Sequence, residues 1–189
     1  MPCVCVAGYL MEFSPIKNII LTGFMGTGKT AVGRELARLL NMHLIDVDTD
    51  IEKSEKMTIN EIFEQFGEPR FRELETEMIK KLSERNNIVI STGGGAVVRQ
   101  ENVDVLKKNG VIVCLTAKPE TIVRRTGNSN DRPLLQVEDP LEKIKELLNF
   151  RKPFYEKADI MIDTEGKTPL HIAEEIIEKV KGKDGKNKG

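Results

Sequence analysis

Gly23-Phe24-Met25-Gly26-Thr27-Gly28-Lys29-Thr30 fills every fixed position of the pattern G-x-x-x-x-G-K-[ST]. Lys17–Thr22, just before it, reads as a short strand buried on both faces. Just after it, from about Lys29 to Asn41, Val32, Leu36, Leu39 and Leu40 recur on one helical face. A glycine-rich turn between a strand and a helix points backbone N–H groups at phosphate oxygens, and the helix N-terminus adds partial positive charge. In such a loop Lys29 reaches the β- and γ-phosphates of a nucleoside triphosphate, and Thr30 offers its hydroxyl to Mg²⁺. Gly26, Thr27, Gly28, Lys29, Thr30 and Ala31 are the expected phosphate contacts.

The pattern of strand then helix repeats along the chain. His43–Asp46, Asn87–Thr92, Val111–Thr116 and Asp159–Asp163 read as further strands, several apolar throughout. Between them lie a capping box at Thr58-x-x-Glu61 with Ile59, Ile62, Phe63 and Phe66 behind it, and a stop at Gly67. Pro69 can open the next helix, whose core face is Phe71, Leu74, Met78 and Leu82. Helices are also expected near Glu101–Lys108, from Pro119 to Thr126, around Leu141–Leu148 and over Pro169–Val180. Gly127–Pro140 has turn-forming and charged residues and no period, as in a lid. The whole predicts a parallel α/β sheet covered on both faces. His43 is expected to be a strand-edge residue.

Ligands of open α/β sheets bind at the carboxyl ends of the strands. Asp46-Val47-Asp48 falls at such an end. Residues two apart in a strand point the same way, so both carboxylates are expected to face the site. One can hold Mg²⁺ through water while the other orients an acceptor hydroxyl; alternatively Asp48 caps the following helix. Arg70 and Arg72 cannot share a helix face, so one is expected to meet a ligand, and arginine suits a bidentate carboxylate contact. Gly93-Gly94-Gly95 follows a strand and allows close approach of a ligand to the backbone. Arg132 lies in the irregular stretch and Arg151 in Phe150–Tyr155.

With 29 Lys+Arg against 30 Asp+Glu and a formal net charge of -1, the chain has no nucleic-acid footprint and no polybasic membrane face. The length of 189 residues suits one domain. Three cysteines, Cys3, Cys5 and Cys114, form no disulfide framework, and Cys3-x-Cys5 lacks the further ligands of a metal site. Met1–Leu10 has no Lys or Arg and is too short to span a membrane. Residues 1–15 are expected to be a disordered extension, 16–180 one domain, and the Lys- and Gly-rich 181–189 a disordered tail. Without an export signal the default is the cytoplasm.

Taken in order, these segments resemble the shikimate kinase family. The matching pieces are GFMGTGKT at Gly23–Thr30, D-x-D at Asp46–Asp48, G-E-x-x-F-R-x-x-E at Gly67–Glu75 and GGGA at Gly93–Ala96. R-R-T-G at Arg124–Gly127, N-D-R-P-L-L at Asn130–Leu135 and R-x-P-x-Y at Arg151–Tyr155 complete the set. The resemblance implies a three-layer α/β/α P-loop fold of the nucleoside-monophosphate-kinase type. Its parallel sheet would have five strands in the order 2-3-1-4-5, with a mobile lid over about 124–140 and a shikimate-binding region over about 46–83. It implies transfer of the γ-phosphoryl group of ATP, with Mg²⁺, to the 3-hydroxyl of shikimate, by a monomer without nucleic-acid or membrane partners. Asp48, Arg72, Gly93, Gly94, Gly95 and Arg151 then become the shikimate contacts. Thr30 and Asp46 become the Mg²⁺ contacts, partly through water. Arg132 becomes the lid arginine over the phosphates, and Arg125 and Pro169 the adenine rim. Lys29, Asp48 and Arg132 are the expected catalytic set. Gluconate or nucleotide kinases, and a catalytically silent nucleotide-binding module, remain the alternatives.

Overall fold

The computed structural model describes residues 18–127 and 137–184. The expected N-terminal extension, Cys3 and Cys5, Arg132 with most of the lid, and the last five residues of the tail lie outside these. Five strands form one parallel sheet: β1 (Asn18–Gly23), β2 (His43–Asp46), β3 (Ile88–Ser91), β4 (Val111–Thr116) and β5 (Ile160–Asp163). Their order is β2-β3-β1-β4-β5, as the resemblance implied. Residue 18 of β1 pairs with Ile88 on one side, and Ile19 with Val111 on the other. The chain therefore goes from β1 to the sheet edge at β2, returns to fill the gap with β3, then crosses to the other side of β1 for β4 and β5. That reversal places the carboxyl end of β1 at the mouth of a crevice.

The alternation of side chains along β1 sorts the core into two layers. Ile19 and Leu21 face α1 (Lys29–Leu40) and α7 (Pro169–Asp184), meeting Val32, Leu36, Ile172, Ile176 and Val180. Ile20 faces the other layer, built from α2 (Val47–Glu55), α3 (Ile59–Ser83), α4 (Gln100–Lys108), α5 (Pro119–Thr126) and α6 (Pro140–Tyr155). Each fully buried Ile or Leu in these layers contributes about 1.5–3 kcal/mol. His43 is exposed on the edge strand, as its isolation suggested.

Two local expectations need correction, those on Asp46–Asp48 and on residues 181–184, and two helices show features the sequence left open. Asp46 and Asp48 do not share a strand: β2 ends at Asp46, which caps α2 by accepting from the Thr49 N–H at 3.3 Å, and Asp48 lies in the first helical turn. Phe66 has helical spacing with Ile59 and Ile62 but is 57% exposed, because the axis breaks at Gly67 (φ 79°, ψ 172°) directly after it. That backbone conformation is nearly closed to other residues, and it lets the helix restart with Pro69 in its opening turn. The helix expected around Leu141–Leu148 continues to Tyr155 despite Pro153, so Arg151 is helical. The last helix likewise runs on to Asp184, so residues 181–184 belong to α7 and not to a disordered tail; the buried Ile176, Ile177 and Val180 anchor the turns before them.

Candidate active site

At the end of β1 the chain curls through Gly26 (φ 76°) and Gly28 (φ 96°) into α1. Thr27 closes the curl on itself, its Oγ1 donating to the Phe24 carbonyl at 2.7 Å, and its side chain is buried. It can serve a phosphate only through its backbone. Lys29 Nζ donates to the carbonyls of Gly23 (2.9 Å) and Phe24 (3.0 Å), so the ammonium spans the loop. Thr30 Oγ1 donates to Asp46 Oδ2 at 3.4 Å, and Ser91 Oγ donates to the same oxygen at 3.0 Å. Thr30 and Asp46 thus present hard oxygen donors side by side at the mouth of the loop. This donor set fits Mg²⁺, which keeps several waters and takes few protein ligands.

One cleft of about 780 Å³ joins this loop to the acceptor side. Gly26, Gly28, Lys29, Thr30, Ala31 and Arg125 line one part of it, and Asp48, Arg72, Gly93, Gly94, Gly95 and Arg151 another. Of the two arginines left open by the sequence, Arg70 pairs with Glu73 at the surface (3.0 Å), while Arg72 turns inward. Arg72 Nη1 donates to Glu75 at 2.8 Å; its Nε and Nη2 donate to Glu68 at 3.1 and 3.0 Å. A Cβ on Gly95 would come within 2.6 Å of the Arg72 guanidinium, so the bare glycine permits that approach. Arg151 is buried, its guanidinium 5.4 Å from the centre of the Phe24 ring.

Two carboxylates flank Gly93. A Cβ there would lie 2.8 Å from Glu75 Oε1 and 3.1 Å from Asp48 Oδ1. Both oxygens are buried, and neither accepts a hydrogen bond from the described residues. Burial, then the charges of Glu75 and Asp46, push Asp48 up from its ordinary 3.8 to about 7; Lys29 and Arg72 oppose the shift. Glu75, fully enclosed, is raised as well, chiefly by desolvation. Asp48 therefore stands near its own titration point at neutral pH, the condition for a group that takes and releases a proton.

On the nucleotide side, Arg125 Nη1 donates to the Gly26 carbonyl (3.2 Å) and to Thr164 Oγ1 (3.3 Å), tying the loop after β5 to the cradle. Pro169 opens α7 and is not among the residues that line the cleft. The sequence reading passed over Glu75 and Tyr155 as site residues. Each stands one helical turn after an arginine of the pocket, Glu75 after Arg72 and Tyr155 after Arg151, and closes a quoted motif; that spacing and those motif ends were the available signals. Among the described residues, no helix is long and apolar enough to cross a membrane.

A sequence model of the family described as shikimate kinase matches residues 25–181. A shikimate kinase of Thermodesulfovibrio yellowstonii is 56% identical over 162 residues, spanning 86% of this chain and 94% of its own length. One from Caldanaerobacter subterraneus is 50% identical over 171 residues, spanning 89% and 100%. The solved structure of a shikimate kinase from Acinetobacter baumannii in complex with shikimate matches with a TM-score of 0.86 at 40% identity, covering 89% of this chain and 94% of that one.

Proposed function

The chain belongs to the shikimate kinase family, and from that premise we propose how its residues divide the work of moving the γ-phosphoryl group of ATP onto the 3-hydroxyl of shikimate, giving shikimate 3-phosphate and ADP. The observation that carries this reading is a buried carboxylate, Asp48, with an unmet acceptor oxygen in the same cleft as a complete phosphate cradle.

Shikimate carries one carboxylate and three hydroxyls. Arg72 and Arg151 are the cations on the acceptor side, and they hold the carboxylate. Asp48 Oδ1 accepts a hydrogen bond from the reacting hydroxyl and, with its proton affinity near neutrality, takes the proton as the oxygen bonds to phosphorus. The backbone of Gly93, Gly94 and Gly95 holds the remaining hydroxyls. The cradle N–H groups and Lys29 hold the phosphates, Lys29 exchanging its loop carbonyls for phosphate oxygens. Thr30 and Asp46 would hold Mg²⁺, which neutralises phosphate charge when bound. Arg125 and Pro169 border the adenine. Arg132, outside the described residues, closes over the transferring group. The protein thus contributes position and charge more than covalent chemistry. We also propose that the enzyme acts as a cytoplasmic monomer without nucleic-acid or membrane partners.

An ADP-release assay over shikimate, quinate, gluconate and nucleoside monophosphates tests the reading. Turnover should depend on shikimate. Equal turnover with gluconate or a nucleotide, or none with any acceptor, would sink it.

A further inference from the structure

Besides Asp48 of α2 and Arg72 of α3, the acceptor pocket draws on two distant stretches of chain, the turn after β3 and the end of α6. One side chain touches both. Tyr155 is the last residue of α6, is 5% exposed, and does not line the cleft. Its hydroxyl donates to the Gly94 carbonyl at 2.7 Å. The Arg151 guanidinium lies one turn earlier on the same helix face, and its charge favours the ionised phenol. A Cβ on Gly94 would lie 3.2 Å from Arg151 Nη1, so the turn and the arginine are already in close approach.

We propose that Tyr155 is a positioning residue for the acceptor, its hydroxyl locking the Gly93–Gly95 turn and Arg151 into the one arrangement that receives shikimate. The argument runs through peptide geometry. In a planar trans peptide the carbonyl and the following N–H point in opposite directions. Holding the Gly94 carbonyl toward α6 turns the Gly95 N–H away from Tyr155, and Gly95 is among the residues that line the cleft. Three successive glycines have no side chains to fix their own orientation, so an external tether has the largest effect there. Arg151 Nη1 packs against the same glycine, so one tether bears on both a backbone donor and a carboxylate partner. Burial raises the phenol from 10.0 to about 12, so it stays a proton donor across the working range of pH. The Tyr155 hydroxyl meets the acceptor turn directly and the phosphate loop only at second hand, through Gly94 beside Gly23 and Arg151 over Phe24. The effect therefore falls on the acceptor more than on ATP.

The inference rests on the acceptor pocket being the shikimate site, and the test separates the two. In the full chain, Tyr155→Phe keeps the ring and removes only the hydroxyl. The KM for shikimate should rise about tenfold, the scale of one well-placed hydrogen bond, while the KM for ATP stays within about twofold. A double cycle with Arg151→Lys should be non-additive for shikimate, since the tyrosine acts partly through the arginine. The chain has two tyrosines and no tryptophan, so fluorotyrosine labelling gives a second readout, taken on the parent once one variant has assigned it. The resonance lost in Tyr155→Phe identifies Tyr155, and if that variant does not fold, the resonance missing from Tyr9→Phe identifies it by difference. It should shift on adding shikimate and hold still on adding ADP. An unchanged shikimate KM in an enzyme that phosphorylates shikimate, a parallel rise in both KM values, or a resonance indifferent to shikimate would each overturn the role. Absence of shikimate turnover in the parent would instead remove the reading beneath it.

Discussion

Replacing Asp48 with asparagine should stabilise the ligand-free protein at about pH 8, the gain shrinking toward zero as pH falls to about 4. The folded protein holds this carboxyl at about 7 against an ordinary 3.8. Between those values the folded state binds a proton that the unfolded chain has released. Stability therefore falls as pH rises through the window: the contribution is fully present below about pH 4 and is lost by about pH 8. A shift of about three units corresponds to roughly 4 kcal/mol. Asp48 faces an open cleft, and solvent there brings the measurable difference to about 2–3 kcal/mol. Asparagine fills the same volume without a charge, so it avoids the repulsion from Glu75 and Asp46 and the cost of burial.

The measurement is urea denaturation of parent and Asp48→Asn at several pH values, in chelator and without nucleotide. The quantity that matters is the difference between the two proteins, since other titrating groups cancel from it. The expected curve rises from near zero in acid to a plateau above pH 7.5, and the variant is inactive throughout. A pH-independent difference, or a variant less stable than the parent at pH 8, would refute the claim that an uncompensated carboxylate is stored at this position. A confirmed curve would mean that the site holds a destabilising charge because the reaction uses it.

Three further outcomes follow from the geometry. Lys29→Ala should cut turnover by a factor on the order of a thousand with an unchanged circular dichroism spectrum, since the ammonium is the cation of the cradle; near-parent turnover would remove the loop from the mechanism. Arg72→Ala leaves Glu75, fully buried, without its partner at 2.8 Å; unfolding titrations should show a loss of about 3 kcal/mol at pH 8 and less at pH 5, where Glu75 can take a proton. Arg132→Ala should lower kcat about a hundredfold while shikimate affinity holds, as for a contact made near the transition state; a weakened shikimate titration with kcat intact would move Arg132 into the acceptor pocket.

The cradle was legible because its spacing prescribes backbone shape, and backbone shape is what binds phosphate there. The strands were legible because a parallel strand covered on both faces must be an apolar run, and Ile88–Ile90 and Ile112–Leu115 are buried as that requires. The junction after β2 was not legible. Val47, fully buried, suits a strand or a helix equally, so periodicity could not tell that the chain turns helical one residue before Asp48. The pair still reaches one cleft, by a cap and a first helical turn in place of strand alternation. Phe66 has the spacing of a helix whose axis Gly67 ends, and spacing alone did not show that its ring stays exposed.

What stayed hidden was the set of groups that act on other groups. Glu75 and Tyr155 close two of the quoted motifs, yet on a helix each reads as an ordinary partner of an arginine one turn away. Their weight comes from enclosure. In water a Glu75–Arg72 pair or a tyrosine hydroxyl on a carbonyl would contribute a fraction of a kcal/mol, while under the cover of α3, α6 and the glycine turn the same contacts fix where charge and donors point. Sequence spacing predicts which side chains share a helix face. It does not predict which face the fold will seal from solvent, and at this site that seal turns Asp48 from a surface acid into a base near neutrality.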